Sequence, residues 1–127
     1  MAVERLDHFN IRASEPLVRE LLEFYCDVIG LSEGSRPPFK EPGYWLYAGE
    51  FAVLHLSIAA GDENPVSKVE TTLNHVALGC TDKPAYERCL ADRDIPYKRN
   101  SVPGTTVRQL FLKDPAGNGI ELSFAGD

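Results

Sequence analysis

Over residues 5–12 the chain alternates, so that Leu6, His8, Asn10 and Arg12 share one face of an extended strand while Phe9 and Ile11 share the other. The period then lengthens. Ser14 can cap and Pro16 can occupy the first turn of a helix whose apolar residues Leu17, Leu21, Phe24 and Val28 form one stripe, and Gly30 stands where a left-handed residue ends it. Residues 31–42, with prolines at 37 and 38, are too broken for more than a short strand and a loop able to cover a pocket. Period two returns in residues 43–48 and 51–58, two strands joined by a tight turn at Gly49 and Glu50. In the second, Phe51, Val53, His55 and Ser57 face one way and Leu54, Leu56 and Ile58 the other. Gly61 to Pro65 reads as a linker.

Beyond the linker the order starts again. Residues 73–78 repeat the first strand, with His75 where His8 stood; Asp82 and Pro84 open a helix through Tyr86, Cys89 and Leu90; residues 95–98 make a short strand. Turn formers at 113–119 fold residues 105–112 back against a last strand ending at Phe124. There Ile120, Leu122 and Phe124 alternate with Gly119, Glu121 and Ser123, which puts Glu121 on the face that is not packed. The expected fold is α+β, one domain over residues 1–127 made of two βαβββ modules (about 1–60 and about 72–127, with a linker over about 60–71) that form a curled, cup-shaped mixed sheet.

The repeat has a chemical consequence. His75 follows His8 by 67 residues and Glu121 follows His55 by 66, so two potential ligands on the first and last strands of each module are carried over almost unshifted. Two such sheets curled toward each other would line a cup with His8, His55, His75 and Glu121. Without a cation these groups would lose hydration and gain little; with a divalent metal they become ligands.

Composition narrows the setting. With 43% apolar and 25% charged residues the chain is of ordinary globular make-up, and a net charge of −6 disfavours nucleic acid or an anionic membrane as partner. No apolar run reaches the ~18 residues of a membrane span, and the N-terminus lacks the apolar centre of a signal peptide. Cys26, Cys80 and Cys89 match neither zinc-ribbon nor redox-pair spacing and read as small buried residues in a reducing compartment, so a cytoplasmic location is expected.

The stretches LDHFNIR near the start, LNHVAL after the linker and FLKDPAGNGIEL at the end resemble the vicinal oxygen chelate superfamily over essentially the whole chain. That group contains glyoxalase I, methylmalonyl-CoA epimerase, fosfomycin-resistance transferases, extradiol dioxygenases and bleomycin resistance proteins. The resemblance implies that His8, His75 and Glu121 are metal ligands and that His55 takes the fourth inward position, where small members often carry glutamate or glutamine. Small members also commonly dimerise, some building each cup from halves of two chains, so a homodimer is expected.

Nitrogen and carboxylate donors without thiolate suit Ni, Zn, Co, Mn or Fe(II). The first functional expectation is glyoxalase-like lyase or isomerase chemistry on a small substrate chelated through vicinal oxygens: the metal stabilises an enediolate while Glu121 or His55 moves the proton. Arg12 matches an arginine that bacterial glyoxalase I uses toward glutathione, although Ala59 replaces that enzyme's asparagine. Trp45 and Tyr47 could stack on a planar ligand, and Phe111 and Phe39 could help shape the pocket. An alternative is an Fe(II) extradiol dioxygenase with His55 as free acid and base, although Phe111 stands where those enzymes have tyrosine. A further alternative is a non-catalytic drug- or metabolite-binding resistance protein, whose members generally lack the ligand set. A fosfomycin-type transferase would need a potassium loop that is not found in the sequence.

Overall fold

The computed structural model describes residues 1–65, 67 and 70–126; Val66, Lys68 and Val69 of the expected linker, with Asp127, lie outside them. The chain divides into two compact units, Met1–Ser67 and Lys68–Asp127.

The first unit runs β1 (Phe9–Ala13), α1 (Glu15–Glu23), β2 (Ser32–Gly34), β3 (Gly43–Ala48) and β4 (Phe51–Ile58). Ser14 precedes α1 and its carbonyl accepts from the Val18 N–H (2.9 Å), but its hydroxyl makes no capping bond, contrary to the sequence reading. From Phe24 to Ile29 the helix widens into π-helical turns. That wider register buries Phe24, Tyr25, Val28 and Ile29 together, and upstream it is Val18 rather than Leu17 that joins Leu21 in the core. Gly30, at φ 95°, closes the helix with its N–H on the Tyr25 carbonyl, in the left-handed role that favours glycine. The helix packs on β1 and β4, whose Leu54 and Leu56 are buried while the alternate positions remain partly open. The strands form an open mixed sheet, β1-β4-β3-β2, with β1 parallel to β4 and the other pairs antiparallel.

The second unit runs β5 (Val76–Cys80), α2 (Lys83–Asp92), β6 (Lys98–Ser101), β7 (Arg108–Lys113) and β8 (Gly119–Phe124), ordered β5-β8-β7-β6 with the same parallel and antiparallel pairings. Here the cap is real: the Asp82 carboxylate accepts from the Ala85 N–H at 3.2 Å. Leu90 is the buried residue of α2, and Tyr86 meets Phe124 edge-on at 5.7 Å. Strand β6 starts three residues later than the sequence suggests. Ile95 gives its N–H to the Leu90 carbonyl (2.9 Å) and Pro96 has none to give, so the ladder begins only after them. The β7–β8 turn is organised by Asp114, which is buried and accepts from the Ala116 N–H, the Asn118 N–H and the Asn118 side-chain amide, each at 2.9 Å. The chain therefore carries the βαβββ order twice, as its repeat implies.

The three cysteines are half-buried and unbridged, and burial pushes the Cys26 and Cys80 thiols up. Among the described residues no helix is long and apolar enough to cross a membrane.

Candidate functional site

Strand register explains how each unit brings two of the candidate groups together. In the first, Asn10 of β1 lies opposite His55 of β4; in the second, Ala77 of β5 lies opposite Glu121 of β8. His8 and His75 each come two residues before those partners, one residue ahead of the strand itself, so both pairs span the same diagonal of a parallel ladder. The near-constant offset in sequence is thus a shared position in the sheet.

In the first unit the His8 and His55 rings stack at 3.7 Å with 15° between their planes, and Trp45 stacks on the other side of His55 at 4.1 Å and 8°. His55 donates through Nε2 to the Ala52 carbonyl at 3.1 Å, which leaves the Nδ1 lone pair open. Burial, followed by the neighbouring His8, lowers its pKa and keeps the ring neutral. His8 in turn donates through Nδ1 to Asp7 Oδ1 at 2.8 Å, a bond that is the main reason the Asp7 carboxyl titrates below its usual range. The free nitrogen of His8 is therefore Nε2. Because the two rings are nearly parallel, their in-plane lone pairs do not converge, and sharing one ion would need one ring to turn. The pair borders a cavity of about 630 Å³ whose lining includes Leu6, Phe39, Trp45 and Phe51.

In the second unit His75 Nε2 stands 3.1 Å from Glu121 Oε1, while its Nδ1 is held at 2.8 Å by Asn74 Oδ1. Glu121 faces away from the packed side of β8 as expected, yet it is only 7% exposed. Phe111 lies opposite it on β7 and meets the edge of His75 at 5.5 Å. Close approach here depends on Gly119: a Cβ at that position would sit 2.1 Å from the Asn74 carbonyl oxygen. Phe111 and His75 line a second cavity, of about 450 Å³, together with Tyr97, Lys98 and Lys113.

The structure thus brings the four proposed ligands together as two pairs. Among the described residues no group of three or more histidine, cysteine, aspartate or glutamate side chains is gathered closely enough to hold a metal ion. Of the proposed substrate contacts, Trp45 and Phe111 line cavities beside the pairs. Tyr47 is engaged elsewhere, its hydroxyl donating to the Ser35 carbonyl at 2.5 Å and its ring lying where a side chain on Gly34 would go. Arg12 is tied to the linker: it donates to both oxygens of Glu63, through Nε at 2.9 Å, and Glu63 also accepts from the Ala60 N–H. Arg12 pulls the Glu63 carboxyl down to about 2. Sequence reasoning passed over Asp7 and Asn74. The signal was available, since both are oxygen acceptors immediately before the repeated histidines and lie 67 residues apart.

No protein-family model matches the chain, and no curated protein does. Solved structures do. A glyoxalase family protein from Bacillus anthracis superposes with a TM-score of 0.72 at 22% identity, covering 98% of each chain. TnmS3, an antibiotic binding protein from Streptomyces sp., gives 0.69 at 20% identity over 99% of each. Lactoylglutathione lyase from Agrobacterium tumefaciens gives 0.66 at 19%, covering 98% of this chain and 96% of that one. The chain shares the fold of these structures, which belongs to a lactoylglutathione lyase and to an antibiotic binding protein alike.

Proposed function

We propose that this glyoxalase-fold chain is a cytoplasmic, divalent-metal-dependent lyase or isomerase that moves a proton on a small substrate bound through two vicinal oxygens. Four ligands would be drawn from the two pairs: His8 and His55 from one, His75 and Glu121 from the other. The observation that carries the reading is the 3.1 Å approach of His75 Nε2 to the Glu121 carboxylate. The carboxylate can only accept, so that gap calls for a cation or a proton between the two atoms. Once one of the two stacked rings turns, Nε2 of His8 and Nδ1 of His55 add two nitrogen donors, and a set of nitrogens with one carboxylate and no thiolate suits Ni, Co, Zn, Mn or Fe(II).

When bound, such an ion supplies Lewis acidity toward two neighbouring substrate oxygens. The residues do the rest. Glu121 is the carboxylate placed to accept a carbon-bound proton and return it, and its low exposure excludes competing water. Neutral His55, held by Ala52, offers Nδ1 as a second proton acceptor. Trp45 and Phe111 give each cavity an aromatic wall that orients a carbonyl substrate.

The test is anaerobic purification, metal analysis and solvent-deuterium exchange at the carbon next to the carbonyl in a panel of α-hydroxycarbonyl compounds. Stoichiometric nickel, cobalt or zinc with metal-dependent exchange supports the proposal. Failure to take up any divalent ion overturns it, and oxygen uptake with catechols would point to ring cleavage instead, a chemistry for which Phe111 offers no hydroxyl beside His75.

One observation favours a second reading, a binding protein for planar molecules. His8, His55 and Trp45 form a three-ring stack over an open cavity that Phe39 also lines, and TnmS3 shares the fold. Metal-independent quenching of Trp45 fluorescence by a planar compound, without turnover, would favour it.

A further inference from the structure

Across the sheet of the second unit, strand register sets three side chains in a row on one face: Glu121 of β8 pairs with Phe111 of β7, and Phe111 pairs with Lys98 of β6. Leu110 and Leu112, which alternate with Phe111, are buried on the other face, so Lys113 shares the open face, two residues along from the ring. Opposite Lys113 is Gly119, which has no side chain to fill the space beside His75. The cavity of about 450 Å³ opens here, lined by both lysines, Phe111, His75 and Tyr97. The Tyr97 hydroxyl is committed to Glu87 at 2.9 Å, whereas neither lysine is in an ion pair among the described residues.

We propose that this cavity binds a small aromatic monocarboxylate, its carboxylate between Lys98 and Lys113 and its ring against Phe111. Diagonal neighbours on a ladder have their roots about 7–8 Å apart, and each ammonium rides on a flexible four-carbon stem, so both lysines can reach one oxyanion. Charge selects the class. Lys98 and Lys113 against Glu121 leave a surplus of one positive charge on this face, which a singly charged carboxylate balances and a phosphate dianion exceeds. The half-buried Phe111 ring supplies an apolar wall that an inorganic anion would not use. Glu121, at the far end of the row, repels a carboxylate and so fixes the direction: the acid lies at the lysine end and the other end of the molecule points toward His75 and Glu121. The two ends of the row are two strand spacings apart, about 10 Å, the reach of a ring carrying substituents on opposite sides. That a proton moves at the far end rests on the function proposed above; binding of the acid does not.

Calorimetry on chelator-treated protein tests the site without turnover. The probe is para-acetylbenzoate, which carries a carboxylate, a ring and a carbonyl at the far end. Its methyl ester lacks the charge and inorganic phosphate lacks the ring, and each should bind at least about tenfold more weakly than the acid. Lys98→Gln and Lys113→Gln should each weaken the acid about fivefold and leave the ester unchanged. Added salt should likewise weaken the acid and not the ester. Both lysines are exposed, which favours folded variants, and the ratio of acid to ester in wild type decides the matter without them. Wild type that does not bind the acid overturns the proposal, as does equal affinity for acid and ester, phosphate binding as tightly as the acid, or an acid affinity that neither glutamine change moves. Acid binding by a protein that takes up no divalent ion would uphold this site and overturn the metal-dependent function; metal-dependent exchange in a protein indifferent to the charge of the acid would do the reverse.

Discussion

His75 Nε2 and Glu121 Oε1 lie 3.1 Å apart on the diagonal of β5 and β8 that His8 and His55 occupy on β1 and β4. Two pairs with one register in two halves of a chain give the proposed chemistry a structural basis that a lone histidine or glutamate lacks. Glu121 is also the one carboxylate among the four groups. Replacing it with the isosteric amide, Glu121→Gln, should leave the fold intact while removing both the charge and the proton acceptor. Turnover should fall by about 100-fold or more, and metal uptake should weaken. Wild-type exchange rates in the variant would show that Glu121 has neither role.

Gly119 tests whether the backbone itself sets the distance between the two members of that pair. A methyl group there would meet the Asn74 carbonyl oxygen at 2.1 Å, and backbone cannot yield as the end of a long side chain can. Gly119→Ala should therefore push the segment before β5 off β8, lowering stability by about 1–3 kcal/mol and moving the His75 resonances. Chemical denaturation and a histidine-resolved spectrum measure the two effects separately.

Away from the pairs, Glu87 of α2 gathers three partners from its own unit: Lys83, the Tyr97 hydroxyl at 2.9 Å and Arg99 through Nε at 2.8 Å. Hydrogen bonds from Arg99 first, then Lys83, hold its carboxyl at about 2, against 4.5 in the ordinary case. A folded-state value below the unfolded one means the contribution is fully present above pH 4.5 and is lost as pH falls from there toward 2. Because solvent reaches this network, its worth at neutral pH is about 1–2 kcal/mol. Glu87→Gln should lose that stability near neutrality and show a shallower acid dependence below pH 4.5, as thermal melts across that range would register.

Much of this was legible in the chain because alternation reports faces. The strands over 43–48 and 51–58, the βαβββ repeat and the parity of His55 and Glu121 all follow from period two. What alternation cannot report is what covers a face, which is why Glu121 read as outward and proves nearly inaccessible. The widened turn from Phe24 to Ile29 escaped because a 3.6-residue stripe assumes a regular helix. Strand β6 was misplaced because all four of its residues are exposed, and the apolar alternation of Ile95 and Tyr97 just before it imitates a strand. Ligand partners such as Ala52 for His55 depend on backbone carbonyl directions that no side-chain pattern encodes.

Each pair supplies two donors, fewer than the three protein ligands that an open catalytic metal site ordinarily uses. The described residues hold no group of three, so the proposed site requires that one His8–His55 pair and one His75–Glu121 pair meet. In a homodimer the two can come from different copies, and complementation distinguishes that arrangement. His8→Ala and Glu121→Ala chains are each expected to be inactive alone. When they are unfolded together and refolded, about half of the dimers are mixed, and a mixed dimer with shared sites contains one site lacking both changed residues. Activity should then return to about a quarter of the wild-type level, together with the same fraction of high-affinity metal sites. Mixtures that stay at the level of the separate variants would mean that sites are not shared between copies, and the ligand set would then have to assemble within one chain.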